Sequence, residues 1–377
     1  MRIGIDTRLW SETGVGRYIR NLVTNLQEID NKNEYVLFVK HSDIKKIRSE
    51  DSDIRIKDNW KLVITDIRWH TIEEQIKFPR IIKNEKLDLV HFPYFSVPIL
   101  YNLPYVITIH DLILHHFPTG EASTLTPYLY QAKLLGYKFV IQQAVNKAKK
   151  IITVSEATKK EIIDHLHIDN DKIIAIHEGV DSHIRNPHPK RIISESYFLF
   201  VGNVYPHKNI ESLLLAFRKI FLNAPVRLIV VGKNNFFTER LKEFARKKQL
   251  DTQVIFLGEV TDSELSSLYH YALSLVVPSF MEGFGLPALE AMANDCLVIA
   301  SNIPSLQEVC KDAALYVDPR SIDDIADKLQ LVVTQPKNYF AKMRSIGEQR
   351  VRSFSWQEMA KETLAVYESS AGLRQSQ

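Results

Sequence analysis

Cysteine is almost absent: Cys296 and Cys310 are the two in 377 residues. That excludes a disulfide scaffold and a cysteine-rich metal site, and both are expected as buried free thiols. No run of about 18 apolar residues occurs, so no membrane-spanning helix is expected. The first six residues place Asp6 where a signal peptide needs an apolar core, so export by that route is not expected. Net charge is low, +3, too weak to argue for nucleic acid. The basic excess falls in residues 1–190, with 27 Lys+Arg against 24 Asp+Glu. What remains is an ordinary soluble composition, long enough for two domains, with a cytoplasmic enzyme as the default reading.

The informative stretch is Pro278 to Ala293, Pro-Ser-Phe-Met-Glu-Gly-Phe-Gly-Leu-Pro-Ala-Leu-Glu-Ala-Met-Ala. An apolar strand, Ala272 to Val277, precedes it. A helix over Pro287–Asn294 is expected to follow, with Pro287 in its first turn. The N–H groups of Phe284, Gly285 and Leu286 would then lie at a helix N-terminus, an anion site. Gly283 and Gly285 allow close backbone approach. Glu282 and Glu290 bracket the turn, Glu290 placed in the first helical turn. Carboxylates beside N–H donors suit a ligand bearing hydroxyls and phosphates.

Elsewhere short strands alternate with helices. Strands are expected at 2–5, 35–39, 54–57, 87–92, 105–110, 151–154 and 173–177, and again at 197–201, 227–231, 254–257, 272–277 and 297–300. Alternation of this kind predicts α/β architecture with parallel, doubly wound sheets. The domains are expected at 1–185 and 197–354, with a polar linker at 186–196 and a terminal helix from 355 packing back toward the first domain. Capping boxes are predicted at Thr261–Glu264, Ser305–Glu308 and Ser355–Glu358.

Three further sites follow from position. Gly14 and Gly16, in Thr13-Gly-Val-Gly-Arg17, link the first strand to a helix; close packing and ligand contact are both open. They lack the third glycine of a dinucleotide fingerprint. His110-Asp111 ends a strand, where open sheets face their ligands. Lys208 follows a strand and the Gly202 turn, where a point charge can meet a diphosphate. The pattern from Leu125 to Lys150 is helical. Its lysines (Lys133, Lys138, Lys147, Lys149, Lys150) suit either the helix dipole or a face touching anionic lipid. His115-His116 and His165-x-His167 invite a metal, but no carboxylate cluster accompanies them in sequence, so no metal site is expected.

With Glu282 and Glu290 separated by seven intervening residues in this setting, the chain resembles the retaining glycosyltransferases of family 4. Gly14-Val-Gly-Arg17, Thr108-Ile-His-Asp111, Thr153-Val-Ser-Glu156, Gly179-Val-Asp181 and Gly202 through Asn209 also match. The resemblance implies the GT-B fold, two Rossmann-like domains facing each other across a cleft, the first on the acceptor side. It implies a nucleotide-sugar donor held in the second domain. Glu282 would contact the sugar hydroxyls and Glu290 the ribose. Backbone from Gly283 to Leu286 would hold sugar and diphosphate. Lys208 would take the diphosphate, the turn at Gly258–Val260 would lie near the base, and His110 would touch the donor sugar. Gly14, Gly16, Gly202 and Asn203 join this donor set. Asn203 stands where the family usually has arginine, which shifts diphosphate charge onto the helix N-terminus.

Retention without an evident protein nucleophile suggests front-face displacement. No Asp-x-Asp is placed at the diphosphate, so neither a metal nor another cofactor is expected. GDP-mannose is the first expected donor and a UDP-sugar the second. The expected acceptor is a glycan or lipid-linked glycan of a cell-surface polysaccharide such as lipopolysaccharide. Peripheral contact with the cytoplasmic membrane face accompanies this reading. A nucleotide-sugar epimerase, a sugar phosphorylase and a non-catalytic nucleotide-sugar-binding subunit stay open as alternatives.

Overall fold

The computed structural model describes residues 1–48, 57–118, 126–181, 184, 190–221 and 225–372. The chain divides into two compact units. Unit 1 comprises Met1–His116, Thr126–Gly179 and the terminal segment from Ser355. Unit 2 comprises Phe117–Leu125 and Val180–Phe354.

Among the described residues, unit 1 holds seven strands: β1 (Arg2–Asp6), β2 (Glu34–Val39), β3 (Trp60–Ile64), β4 (Leu89–Phe92), β5 (Tyr105–Ile109), β6 (Lys150–Thr153) and β7 (Ile173–Ala175). Their order is β3-β2-β1-β4-β5-β6-β7, every neighbouring pair parallel. Unit 2 holds β8 (Ser196–Val201), β9 (Val226–Val231), β10 (Val254–Gly258), β11 (Ser274–Val277), β12 (Val298–Ser301) and β13 (Ala314–Val317). These run β10-β9-β8-β11-β12-β13, also parallel. Each sheet starts in its middle and reverses direction of growth once. The two switch points lie between β1 and β4 and between β8 and β11. In such sheets the ligand crevice opens beyond the carboxyl ends of the switch-point strands.

The strands are apolar runs because both sheet faces carry helices. Val36, Leu37, Phe38, Ile107, Phe198, Leu199, Leu228 and Ile299 have essentially no exposed surface. The core of unit 2 continues into the helices through Leu213, Phe217, Leu329 and Phe340. The terminal helix, Trp356–Gly372, packs on the first helix, Gly14–Ile29, within unit 1.

Several expectations shift. A strand at 54–57 falls outside the described residues but for Lys57, which belongs to no element. β3 and β13 were missed. β3 is an edge strand, and its exposed Lys61 and Ile64 break the buried-run pattern. The Thr261–Glu264 box is complete in both directions. Ser305 is not a cap. Pro304, with φ already fixed, starts that helix and Ile303 takes the cap position. The Ser305 hydroxyl is left buried without a hydrogen-bond partner. No helix among the described residues is long and apolar enough to cross a membrane. Burial pushes both free thiols, Cys296 and Cys310, up to about 12.

Candidate functional site

The switch point of unit 2 is built from the loops that leave β8 and β11. β8 is followed by Gly202, whose φ of 139° lies in a region that excludes most side chains. Beside it, a Cβ on Gly232 would stand 2.2 Å from the Gly202 carbonyl oxygen. The rim of the sheet is thus bare backbone at this point. Asn203 follows, half-buried, and then the short turn Pro206–Lys208.

Asn209 closes that turn in the left-handed conformation. Its amide nitrogen donates to the carbonyls of Pro278 (2.9 Å) and Pro319 (2.7 Å). One buried side chain therefore ties the β8 loop to the ends of β11 and β13. The backbone N–H of Phe280 donates to the His207 carbonyl (2.8 Å), closing the same seam. Sequence reasoning passed over Asn209 as a role in its own right; asparagine's tolerance of positive φ was the available signal.

These ties bring Lys208 and Glu282 together. The Lys208 ammonium donates to both Glu282 oxygens, at 2.8 and 2.7 Å. Ser279 donates its hydroxyl to Oε1 at 2.6 Å. The Glu282 side chain is 9% exposed. Burial alone would raise its pKa, but the Lys208 charge and these hydrogen bonds outweigh it, and the carboxyl titrates below its ordinary range. His207, next in sequence to the ammonium, is pushed down to about 4, chiefly by burial and then by Lys208. It is a neutral imidazole near neutral pH.

Four residues past Glu282 the helix Leu286–Ala293 begins. Its cap is Gly285, at φ 113°, where a Cβ would meet Leu306 Cδ2 at 2.6 Å. A glycine cap has no side chain to satisfy first-turn N–H groups, so that end of the helix stays polar and positive. The start lies one residue earlier than expected, and Pro287 is the second helical residue. Glu290 consequently sits in the second turn, not the first. It is 2% exposed and accepts the Tyr269 hydroxyl at 2.8 Å. Phe284 is buried edge-on against Phe354. Gly283 is half-buried, as is Val260, between Gly258 and the Thr261 cap.

Unit 1 places the other predicted residues. Gly14 is exposed at the start of its helix, and a Cβ there would meet nothing. Gly16 is buried under the carbonyls of Leu9 and Trp10, which a Cβ would approach to 2.8 and 2.7 Å. Gly16 is thus explained by packing. His110 follows β5. Its Nε2–H donates to the Pro93 carbonyl (3.0 Å), which fixes that tautomeric position. Nδ1 then faces the buried Glu178 carboxylate at 3.6 Å. Tyr18 sits edge-on to the ring at 4.9 Å.

Glu178 was not singled out from sequence, because nothing local marks a loop glutamate 68 positions from its partner. Behind it runs a buried chain of polar groups. Tyr18 and Thr108 hydroxyls are 3.1 Å apart, Thr108 is 2.8 Å from His91 Nε2, and His91 Nδ1 is 2.6 Å from the Tyr367 hydroxyl. His110 and Asp111 also line a small cavity with Tyr94, Phe95, Ile109, Leu114 and Tyr137.

Comparison with known proteins agrees with this architecture. The family model described as "Glycosyltransferase Family 4" matches residues 13–183, and that described as "Glycosyl transferases group 1" matches 182–350. The O-antigen chain mannosyltransferase RfbU of Salmonella typhimurium is 30% identical over 313 residues, 82% of this chain and 84% of its own. The O-antigen chain mannosyltransferase B of Escherichia coli is 28% identical over 375 residues, 94% and 96% of the two chains. Among solved structures, a sucrose-phosphate synthase from Thermosynechococcus elongatus superposes with a TM-score of 0.78 at 20% identity, covering 98% of both chains. WaaG, a glycosyltransferase involved in lipopolysaccharide biosynthesis, superposes with a TM-score of 0.74 at 13% identity, covering 97% of this chain and 99% of its own. At such identities these two likenesses speak for the fold alone. Together, the two family models and the whole-length relatives establish that this chain belongs to the group 1 glycosyltransferases of family 4 and is a glycosyltransferase of GT-B fold.

Proposed function

We propose that the chain transfers mannose from GDP-mannose, with retention and without a metal at the diphosphate, to a glycan or lipid-linked glycan of a cell-surface polysaccharide. The observation that carries this reading is the Lys208–Glu282 pair at the switch point, four residues from a glycine-capped helix start. The mannosyl part draws on the two O-antigen mannosyltransferases to which the chain is similar.

The charges suit the chemistry. As the sugar–phosphate bond breaks, the anomeric carbon gains positive charge and the leaving diphosphate gains negative charge. An ammonium has three N–H donors, and Glu282 takes two. The third can meet a phosphate oxygen without breaking the pair. Because Glu282 balances Lys208, the open N–H groups at Gly285–Leu286 carry much of the stabilisation of the leaving group. Asn203, in an arginine's usual place, adds a dipole but no charge. Glu282 also accepts from sugar hydroxyls, and Glu290 with Tyr269 serves the ribose. Gly202 and the Gly258–Val260 turn flank the nucleotide. In front-face displacement the new glycosidic bond forms on the side from which the phosphate leaves, and the departing phosphate oxygen takes the acceptor's proton. His110 is the proposed further sugar contact, and a His110→Ala variant tests this part separately.

Peripheral lipid contact belongs to the same proposal. The helix Pro127–Lys147 leaves Tyr128, Leu135 and Phe139 exposed at helical spacing, with Lys133 and Lys138 nearby. Lys147 and Lys150 are occupied otherwise, donating to the carbonyls of Ile99 and Asp171.

The deciding experiment incubates the chain with GDP-mannose or a UDP-sugar and a lipid-linked glycan acceptor, and reads the product's anomeric configuration by NMR. An α-mannosyl product from GDP-mannose in the presence of EDTA supports the reading. Preference for a UDP-sugar, inversion, or a strict metal requirement contradicts the corresponding part.

A further inference from the structure

His116, Glu161 and His165 form a cluster that the transfer reaction does not use. His116 ends the short helix Ile113–His116. Glu161 and His165 lie one turn apart on the helix Glu156–Leu166. The Glu161 carboxylate is in direct contact with His116 Nε2 and lies 3.8 Å from His165 Nε2. The two imidazole rings meet edge to face, 4.7 Å between centroids. All three ligand atoms lie within 4.8 Å of one another.

We propose that these residues bind a divalent transition-metal ion of the zinc class. Two imidazoles and a carboxylate are a donor set that zinc, cobalt and nickel accept, whereas calcium and magnesium prefer all-oxygen sites. In a tetrahedral zinc site with bonds of about 2.0–2.1 Å, neighbouring ligand atoms stand about 3.3 Å apart. The cluster is within small side-chain rotations of that spacing. All three side chains are partly exposed, between 31% and 45%, so an ion reaches them from solvent and water completes its coordination. Histidine and glutamate four apart on one helix face also give a two-point clip that needs no backbone change.

The location gives the ion a structural consequence. His116 is the last residue of unit 1 before the chain passes to the Phe117–Leu125 segment of unit 2. The same short helix carries Leu114, which lines the cavity beside His110, and His115, whose Nδ1 lies 3.0 Å from the Tyr137 hydroxyl. A bound ion would brace this helix against the helix Glu156–Leu166. Glu161 and His165 stand one helical turn apart in the sequence, and the fold brings His116 to them from 45 positions before Glu161.

The test uses the untagged full-length chain, stripped with EDTA and desalted. Zinc is titrated calorimetrically and cobalt by visible absorption. One equivalent of zinc should bind, and cobalt should give the intense bands of a site with protein ligands. Affinity should fall about tenfold or more in each of His116→Ala, Glu161→Ala and His165→Ala, but not in His270→Ala, an exposed histidine of unit 2. The milder His165→Gln, with circular dichroism to verify folding, should also weaken binding. Absence of stoichiometric zinc binding, or binding unchanged in all three cluster variants, overturns the proposal. A cluster that is only an ion pair gives that second pattern or the first.

Discussion

At the carboxyl rim of its sheet, unit 2 presents bare backbone and one ion pair, whereas unit 1 presents side chains. In unit 2 the glycines at 202, 232 and 285 remove bulk, and Lys208 with Glu282 supplies the charge. In unit 1, His110 is held by the Pro93 carbonyl and Glu178, over a chain of buried hydroxyls and His91. Backbone and a point charge suit what nucleotide sugars share, phosphates and a ring of hydroxyls. A positioned imidazole with a carboxylate behind it is a more individual arrangement. It can be tuned without disturbing phosphate recognition.

The largest expected effect is in unit 2. Glu282→Ala strands the Lys208 charge and removes the hydroxyl acceptor, so transfer should fall by about 10²–10³-fold. Initial rates at saturating acceptor measure it. Next is Gly285→Ala. The residue's φ of 113° and the 2.6 Å approach to Leu306 predict strain of about 1–3 kcal/mol. The melting temperature should drop and donor KM should rise together, because the same turn sets the helix N-terminus.

The unit 1 counterpart is smaller and of a different kind. Glu178→Gln keeps the shape but removes the charge facing His110 Nδ1. Transfer should fall several-fold while nucleotide affinity stays unchanged. Equal loss of nucleotide affinity would dissolve the contrast between the units. Tyr367→Phe should cost about 1–3 kcal/mol, because His91 Nδ1 is left buried without its partner.

The last effect comes from pH. Burial pushes His91 down to about 3 and His207 to about 4, below the ordinary value of 6.5. As pH falls from about 6.5 toward 4, the unfolded chain takes up protons that the folded chain refuses, so stability declines over that window. Glu282 acts in the same direction at lower pH. Its depressed folded pKa contributes stability above the ordinary carboxylate range, and that is lost as pH falls through the lower folded value. Denaturant midpoints across pH 4 to 7 should show the histidine slope, reduced in His207→Gln.

The same contrast explains what could be read from the sequence. Unit 2's rim is written in two short segments, Gly202–Asn209 and Ser279–Glu290, whose residue types state their own geometry. The helix start was misplaced by one residue because Gly285, not Leu286, takes the cap, and Glu290 moved a turn inward with it. Unit 1's rim is assembled from positions 18, 91, 108, 110, 178 and 367. Beyond the Thr108–Asp111 stretch no local pattern links them; the packing of the strands with the first and terminal helices does. The strands β3 and β13 escaped for a related reason: both lie at a sheet edge and are short and only partly buried, so neither shows a long buried run. The cluster at His116, Glu161 and His165 has the same origin, two helices brought together by the order of β5 and β6.

The central claim is that the donor is held in unit 2 around Lys208 and Glu282. Calorimetric binding tests it most directly, using the nucleotide sugar that the wild-type chain turns over and its bare nucleoside diphosphate. Lys208→Ala should weaken both ligands by about tenfold or more, and Glu282→Ala should weaken the nucleotide sugar far more than the diphosphate. Wild-type affinity for the nucleotide sugar in both variants, with folding intact, would contradict the account.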